Sequence, residues 1–91
     1  MKVFRYEIPV DDQVHAHRLS GPVVHVACRE RALVEMWALE GVEPPRRRHF
    51  RVVGTGQPIP DSPDITHRGT ALDGELVWHL FEGPMWLPEA R

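Results

Sequence analysis

The chain has 91 residues, of which 42% are hydrophobic and 26% charged, as in ordinary globular domains rather than disordered or fibrous proteins. The length is enough for one hydrophobic core and not for two. The formal net charge of −2 excludes nucleic-acid binding through overall charge, so such a partner would need a local basic patch. The single cysteine, Cys28, excludes an intrachain disulfide and is typical of a reducing compartment.

The N-terminal residues lack the apolar run of a signal peptide, and no stretch of the chain approaches the length of a membrane span. We therefore expect a cytoplasmic protein with no membrane partner.

The first half of the chain is predicted to form short strands. Residues 2–8 alternate with period two, which predicts a strand that Pro9 ends. Extended segments are also predicted at 14–19 and 23–28, separated by a turn at Ser20-Gly21-Pro22.

The segment from Leu33 to Leu39 allows two interpretations. Its Leu, Glu, Met and Ala residues favour a helix, but Gly41 and Pro44-Pro45 limit that helix to about two turns. We favour a strand.

A strand is predicted from Arg46 to Val53, followed by a long loop from Gly54 to Pro63. This loop contains two Gly and three Pro residues. Glycine permits positive φ and proline fixes φ, so we expect the loop to have a defined shape.

The C-terminal hairpin carries the strongest pattern. Two strands, 65–72 and 75–82, flank Asp73-Gly74, a dipeptide suited to a type I′ turn. That turn predicts Leu72 opposite Glu75, Ala71 opposite Leu76, Gly69 opposite Trp78 and His67 opposite Leu80. The core face would then hold Ala71, Gly69, Leu76, Trp78 and Leu80, with the Trp78 ring covering Gly69.

These elements predict an all-β domain over residues 1–82, either a small antiparallel sandwich or a partly open barrel of about six strands. Residues 83–91 would form a C-terminal tail containing apolar residues and proline.

The second face of the hairpin is too apolar for an ordinary solvent face, and the tail adds three large apolar residues that need a docking site. Because small domains often bury extra surface by association, we expect a homodimer through these patches. The predicted interface residues are Val77, His79, Phe81, Arg68, Met85, Trp86 and Leu87.

A basic stripe precedes the glycine-containing loop. On a strand, Arg47, His49 and Arg51 would share one face, within reach of the loop amides. This pattern is typical of a solvated face that discourages edge pairing, and it also fits a site for an anion such as a nucleotide. The candidate ligand-binding residues are Arg47, His49, Arg51, Gly54, Thr55, Gly56 and Gln57.

No other motif indicates chemistry. The six histidines are scattered and lack the ligand spacing of a zinc site, so we expect no metal or cofactor. Cys28 lies on an apolar strand, and no Gly-x-Ser-x-Gly element is present. We expect that the protein is not an enzyme.

Two segments, Phe50 to Pro60 (FRVVGTGQPIP) and Leu76 to Glu82 (LVWHLFE), resemble a family of short uncharacterised proteins from bacteriophages, prophages and some actinobacteria. The resemblance extends from about Lys2 to Glu82 and includes Met36 to Leu39. It implies no activity, because the family is known only as a domain of unknown function. It does imply a context in which small proteins act by binding a host component.

Two functions follow as hypotheses. The first is a protein-interaction module, such as an inhibitor of a host or defence protein. The second is a small-anion or nucleotide-binding protein that uses the basic stripe and the loop. A nucleic-acid partner is not expected.

Overall fold

The computed structural model describes residues 1–84, and these form seven β-strands and no helix. The strands are β1 (Lys2–Pro9), β2 (His15–Leu19), β3 (Val23–Glu30), β4 (Leu33–Glu40), β5 (Arg46–Gly54), β6 (Thr66–Asp73) and β7 (Leu76–Gly83). The all-β prediction is confirmed, as is the strand at 33–39. No helix that could cross a membrane occurs in residues 1–84. The predicted interface residues Met85, Trp86 and Leu87 lie outside the described part of the chain.

The strands form two antiparallel sheets that are not closed into a barrel. Sheet A has the order β1-β4-β3, and sheet B has the order β2-β5-β7-β6. The two sheets pack as a sandwich around one core.

The core follows the period-two alternation of the strands. In β4, for example, Val34, Met36 and Ala38 face the core, whereas Glu35 and Trp37 face away from it. The buried core residues are Ile8, Leu19, Val26, Val34, Met36, Ala38, Phe50, Val52, Ala71 and Leu80.

The C-terminal hairpin exists, but its predicted turn and register are wrong. The two turn residues are Gly74 and Glu75, and Asp73 pairs with Leu76 inside the ladder. Only Gly74 of the two has a positive φ (60°), as a type II′ turn requires. Tertiary contacts are one cause of this difference in the turn. The Asp73 carboxylate accepts hydrogen bonds from the Ala32 N–H and from the Trp78 indole.

The observed pairing is shifted by two positions from the predicted one. Because side chains alternate with period two, the residues next to the turn still point to their predicted faces. Ala71 and Leu80 are therefore buried as expected. Leu76 is 47% exposed, however, so its predicted core position is wrong.

The predicted cover for Gly69 is also wrong. A Cβ atom added at Gly69 would lie 2.5 Å from Val26 Cγ2, so Val26 from the opposite sheet fills this position. The half-buried Trp78 ring packs instead over Gly54, where the equivalent distance is 3.2 Å. The absence of a side chain at Gly69 therefore allows close packing of Val26 from sheet A, rather than of Trp78 from the same sheet.

Candidate functional site

Strand β5 places its side chains on alternate faces, as the sequence predicts. Arg47, His49 and Arg51 lie on the outer face of sheet B, and Phe50 and Val52 face the core. The three basic residues differ greatly in their surroundings.

The prediction that Arg51 belongs to a solvent-exposed stripe is wrong. Its side chain is only 3% exposed, and its guanidinium forms an ion pair with Asp12. Asp12 lies in the β1–β2 connection and has a positive φ of 63°. This connection contributes the carboxylate that holds Arg51, a contact that links residues 39 positions apart.

Arg48 is buried together with Glu82 at the end of sheet B. The Arg48 Nη2 atom donates to Glu82 Oε1 over 2.7 Å, and its Nη1 atom donates to the Gly21 carbonyl over 2.6 Å. Arg68 donates to the same carboxylate over 2.9 Å. Burial tends to raise the pKa of Glu82, but the hydrogen bonds and charges of Arg48 and Arg68 outweigh it, so the pKa is lowered. The Glu82 carboxylate therefore joins β5, β6 and β7 through two arginines.

The prediction that Arg68 shares a face with Val77, His79 and Phe81 is therefore wrong. A register irregularity between His67 and Gly69 is the cause. The irregularity directs Arg68 toward Glu82 and places His67 beside Phe81, with 5.3 Å between the ring centroids.

Three exposed arginines lie at this same end of sheet B. Arg46 and Arg47 begin β5, and Arg18 pairs directly with Arg47 across the β2–β5 ladder. None of the three forms an ion pair with another described residue. We call Arg18, Arg46 and Arg47 the arginine end.

An open concavity of about 370 Å³ adjoins the arginine end. Arg46, Arg47 and the half-buried His49 line it, together with Asp64. Arg48, Arg68 and Glu82 form part of its wall. The positive charge of the concavity exceeds its negative charge, because it contains four arginines and two carboxylates.

The glycine-containing loop lies at the opposite end of β5. Arg47 and Gly54 lie seven positions apart along the strand, which corresponds to about 23 Å. The loop also uses its own polar groups: the Gly54 N–H donates to Gln57 Oε1 over 2.6 Å, and the Gln57 N–H donates to the Gly54 carbonyl over 3.1 Å. Arg47 therefore lies too far from the loop to contact the same small ligand as the loop amides.

The loop instead covers part of the predicted interface face. An open pocket of about 250 Å³ lies between them, lined by Val53, Gly54, Thr55, Gly56, Gln57, Ile59, His79 and Phe81. Two groups of residues that the sequence assigned to separate surfaces thus meet in one pocket. Val77 lies on β7 with His79 and Phe81, and it is half-buried.

His79 is held by hydroxyl groups in this region. Its Nε2 atom lies 2.9 Å from Thr55 Oγ1 and its Nδ1 atom lies 3.0 Å from Thr70 Oγ1. The Thr70 hydroxyl also lies 3.0 Å from His67 Nε2. A neutral imidazole can donate to one hydroxyl and accept from the other, so this network fixes the ring. Within residues 1–84, no group of three His, Cys, Asp or Glu side chains could hold a metal ion.

A second ion cluster occupies the outer face of sheet A. Glu35 is almost fully buried and accepts hydrogen bonds from Arg29 at 2.8 and 2.9 Å and from Arg5 at 2.6 Å. The hydrogen bonds from Arg29, assisted by the charge of Arg5, lower the pKa of Glu35 to about 2. Arg29 also lies over the Trp37 ring, 5.5 Å from its centroid.

Sequence reasoning missed Arg18 and Arg46 as members of the candidate site. Arg46 was visible as the first residue of the Arg46-Arg47-Arg48 run, but its period-two position placed it on the other face. Arg18 required the β2–β5 register, which no local pattern supplied.

Searches of curated proteins and of solved structures gave no match to this chain. A family model does match, over residues 1–88, and its description is Domain of unknown function (DUF7352). The match covers nearly the whole chain, and the protein therefore belongs to the DUF7352 family.

Proposed function

We propose that this domain is a non-enzymatic protein-interaction module that binds an acidic segment of a partner protein at the arginine end. The proposal rests mainly on the Arg18–Arg47 pair. Like charges directly opposite each other in a sheet are destabilising, and no described carboxylate offsets this pair with a salt bridge.

The local charge contrasts with the charge of the whole protein. A chain with a net charge of −2 concentrates three exposed arginines on two adjacent strands. Glu82 is one of the two carboxylates that line the adjoining concavity, and Arg48 and Arg68 already engage it. An acidic partner would supply the missing counter-charges, and guanidinium groups favour paired contacts with carboxylates.

The nature of the partner is proposed from the resemblance to phage and prophage proteins. In that setting the acidic segment belongs to a host or defence protein, and the domain acts by occupying it. Electrostatic complementarity of this kind mainly increases the rate of association and the specificity of a complex.

The proposal is tested with a labelled glutamate-rich peptide as the probe. Fluorescence anisotropy should detect binding to the wild-type protein, and affinity should fall as salt is added, because exposed charges are screened over about 8–10 Å at ordinary ionic strength. The double variant Arg18→Ala/Arg47→Ala should lose about two- to thirtyfold in affinity, since exposed charge contacts each contribute roughly 0.2–1 kcal/mol.

The matched control compares two single variants: Arg47→Ala at the arginine end and Arg31→Ala, which removes one exposed positive charge from elsewhere on the surface. Equal loss of affinity in these two single variants would show that binding follows net charge only. That result would contradict a site at the arginine end.

A small anion is the second candidate, and the concavity of about 370 Å³ favours it. Inorganic pyrophosphate is a suitable probe. If pyrophosphate raises the melting temperature while the peptide does not bind, the arginine end is a small-anion site.

A further inference from the structure

Strand β1 is a free edge of sheet A, and it differs from the other three edge strands. β3 and β6 each contain irregularities in their ladders, and β2 has only five residues. Such features protect sheet edges from pairing with another chain. β1 pairs with β4 in continuous register over all eight of its residues. Its outer edge is therefore regular enough to accept another strand.

The hydrogen bonds show which backbone groups of β1 point outward. The Val10 N–H donates to the Ala32 carbonyl beside β4, so the even-numbered residues of this run direct their backbone groups toward β4. The Glu7 carbonyl accepts a hydrogen bond from His17 Nε2 over 3.0 Å on the other side. The backbone N–H and C=O groups of Val3 and Arg5 consequently face outward.

Two large apolar side chains of β1 are exposed. Phe4 is 40% exposed and Val3 is 55% exposed. Arg5, whose backbone groups face outward, is already engaged by Glu35 and Glu7, at 2.6 and 3.0 Å. Its charge therefore opposes the approach of another strand less than a free arginine would.

We infer that β1 pairs with β1 of a second copy of this chain, antiparallel and centred on Phe4, so that two copies of sheet A form one continuous sheet. In this register Val3 of each copy lies opposite Arg5 of the other, and these pairs exchange the outward hydrogen bonds. The two Phe4 side chains meet at the non-hydrogen-bonded centre, where opposing side chains are closest.

Neighbouring registers fit less well. Centring the two-fold axis on Arg5 would oppose like charges and would require the Glu7 carbonyl that His17 occupies. Centring it on Val3 would place Phe4 opposite Lys2 and would pair fewer residues. The Phe4-centred register places Lys2 opposite Tyr6, a contact between an ammonium group and an aromatic ring.

This dimer is independent of the function proposed for the arginine end, and it places the contact on β1 rather than on the Val77/Phe81 face. Sedimentation over a concentration series should show a monomer–dimer equilibrium for the wild type. Phe4→Lys should remain monomeric. Leu72→Lys, which changes a more exposed apolar residue on β6, should dimerise like the wild type.

Cysteine pairs test the register in the background Cys28→Ser. Phe4→Cys should form a disulfide-linked dimer under mild oxidation, because Cα atoms of a non-hydrogen-bonded pair lie about 4.5 Å apart. Val3→Cys should not, because its diagonal partner lies about 7–8 Å away. A monomer at all concentrations, or cross-linking of Val3→Cys but not of Phe4→Cys, would overturn the inference.

Discussion

The two halves of β5 use the same residue type in opposite ways. In the second half Arg51 is buried and paired with Asp12, whereas in the first half Arg46 and Arg47 are exposed and form no ion pair with a described residue. Arg48 lies between these residues in the sequence. Its side chain is on the core face and binds Glu82. The strand sequence alone, with its four arginines among nine residues, does not distinguish these roles.

The difference lies in what the rest of the chain brings to each position. A carboxylate from the β1–β2 connection reaches Arg51, and one from β7 reaches Arg48. Opposite Arg47 the chain places Arg18 instead. A buried arginine with its carboxylate is part of the structure, and an exposed arginine opposite another arginine is available to a partner.

The largest effect is expected at the buried pair. Glu82→Gln keeps the size of the side chain but leaves the Arg48 guanidinium without its counter-charge, at a cost of about 3–5 kcal/mol in the free energy of unfolding. Urea denaturation measures this. The double variant Arg48→Met/Glu82→Leu should recover part of the loss, because apolar residues can replace a buried ion pair. Unchanged stability in Glu82→Gln would show that Arg48 does not depend on this carboxylate.

A smaller effect should separate Arg51 from Arg47. Arg51→Ala removes a buried side chain and should lower the free energy of unfolding by about 1–3 kcal/mol, whereas exposed Arg47→Ala should change it by less than about 0.5 kcal/mol. Thermal or urea unfolding of both variants provides the comparison. Equal changes would contradict the division of β5 into two halves.

Acid should weaken both ion clusters. The folded-state pKa is lowered for Glu82 and is about 2 for Glu35, against an ordinary value of 4.5. Their contribution to stability is therefore complete above pH 4.5 and is lost as the pH falls through the lowered values. Unfolding measured between about pH 6 and pH 2 should show this decline. The decline should be shallower in Glu35→Gln, and an unchanged slope would show that Glu35 does not contribute.

The smallest stability effect, and the most informative one for function, is expected at Arg18. Arg18→Glu places opposite charges across the β2–β5 ladder and should stabilise the fold by a few tenths of a kcal/mol. The same change should weaken binding of the acidic peptide. A variant that is more stable and binds less would indicate that the like-charge pair is kept for binding.

The strands and their faces could be predicted from the sequence because period-two alternation is a local signal. The same alternation correctly put Arg47, His49 and Arg51 on one face. The fate of Arg51 could not be predicted, because Asp12 is 39 residues away and lies in an irregular connection. The turn residues were misassigned for a similar reason, since Asp73 is held in the strand by Ala32 and Trp78.

The candidate site was predictable only in part. The run of arginines identified β5, but the division into a basic end and a separate loop pocket depends on strand length and on which sheet neighbours cover each half. The contact of the glycine-containing loop with His79 and Phe81 likewise required the β5–β7 pairing.

The most direct test of the central claim is a two-dimensional ¹H–¹⁵N NMR titration of the protein with the glutamate-rich peptide. We predict that the largest shift changes occur at Arg18, Arg46, Arg47 and His49, and that they disappear at high salt. Shift changes concentrated instead at residues 54–57 or at Arg51, with the arginine end unaffected, would contradict the account.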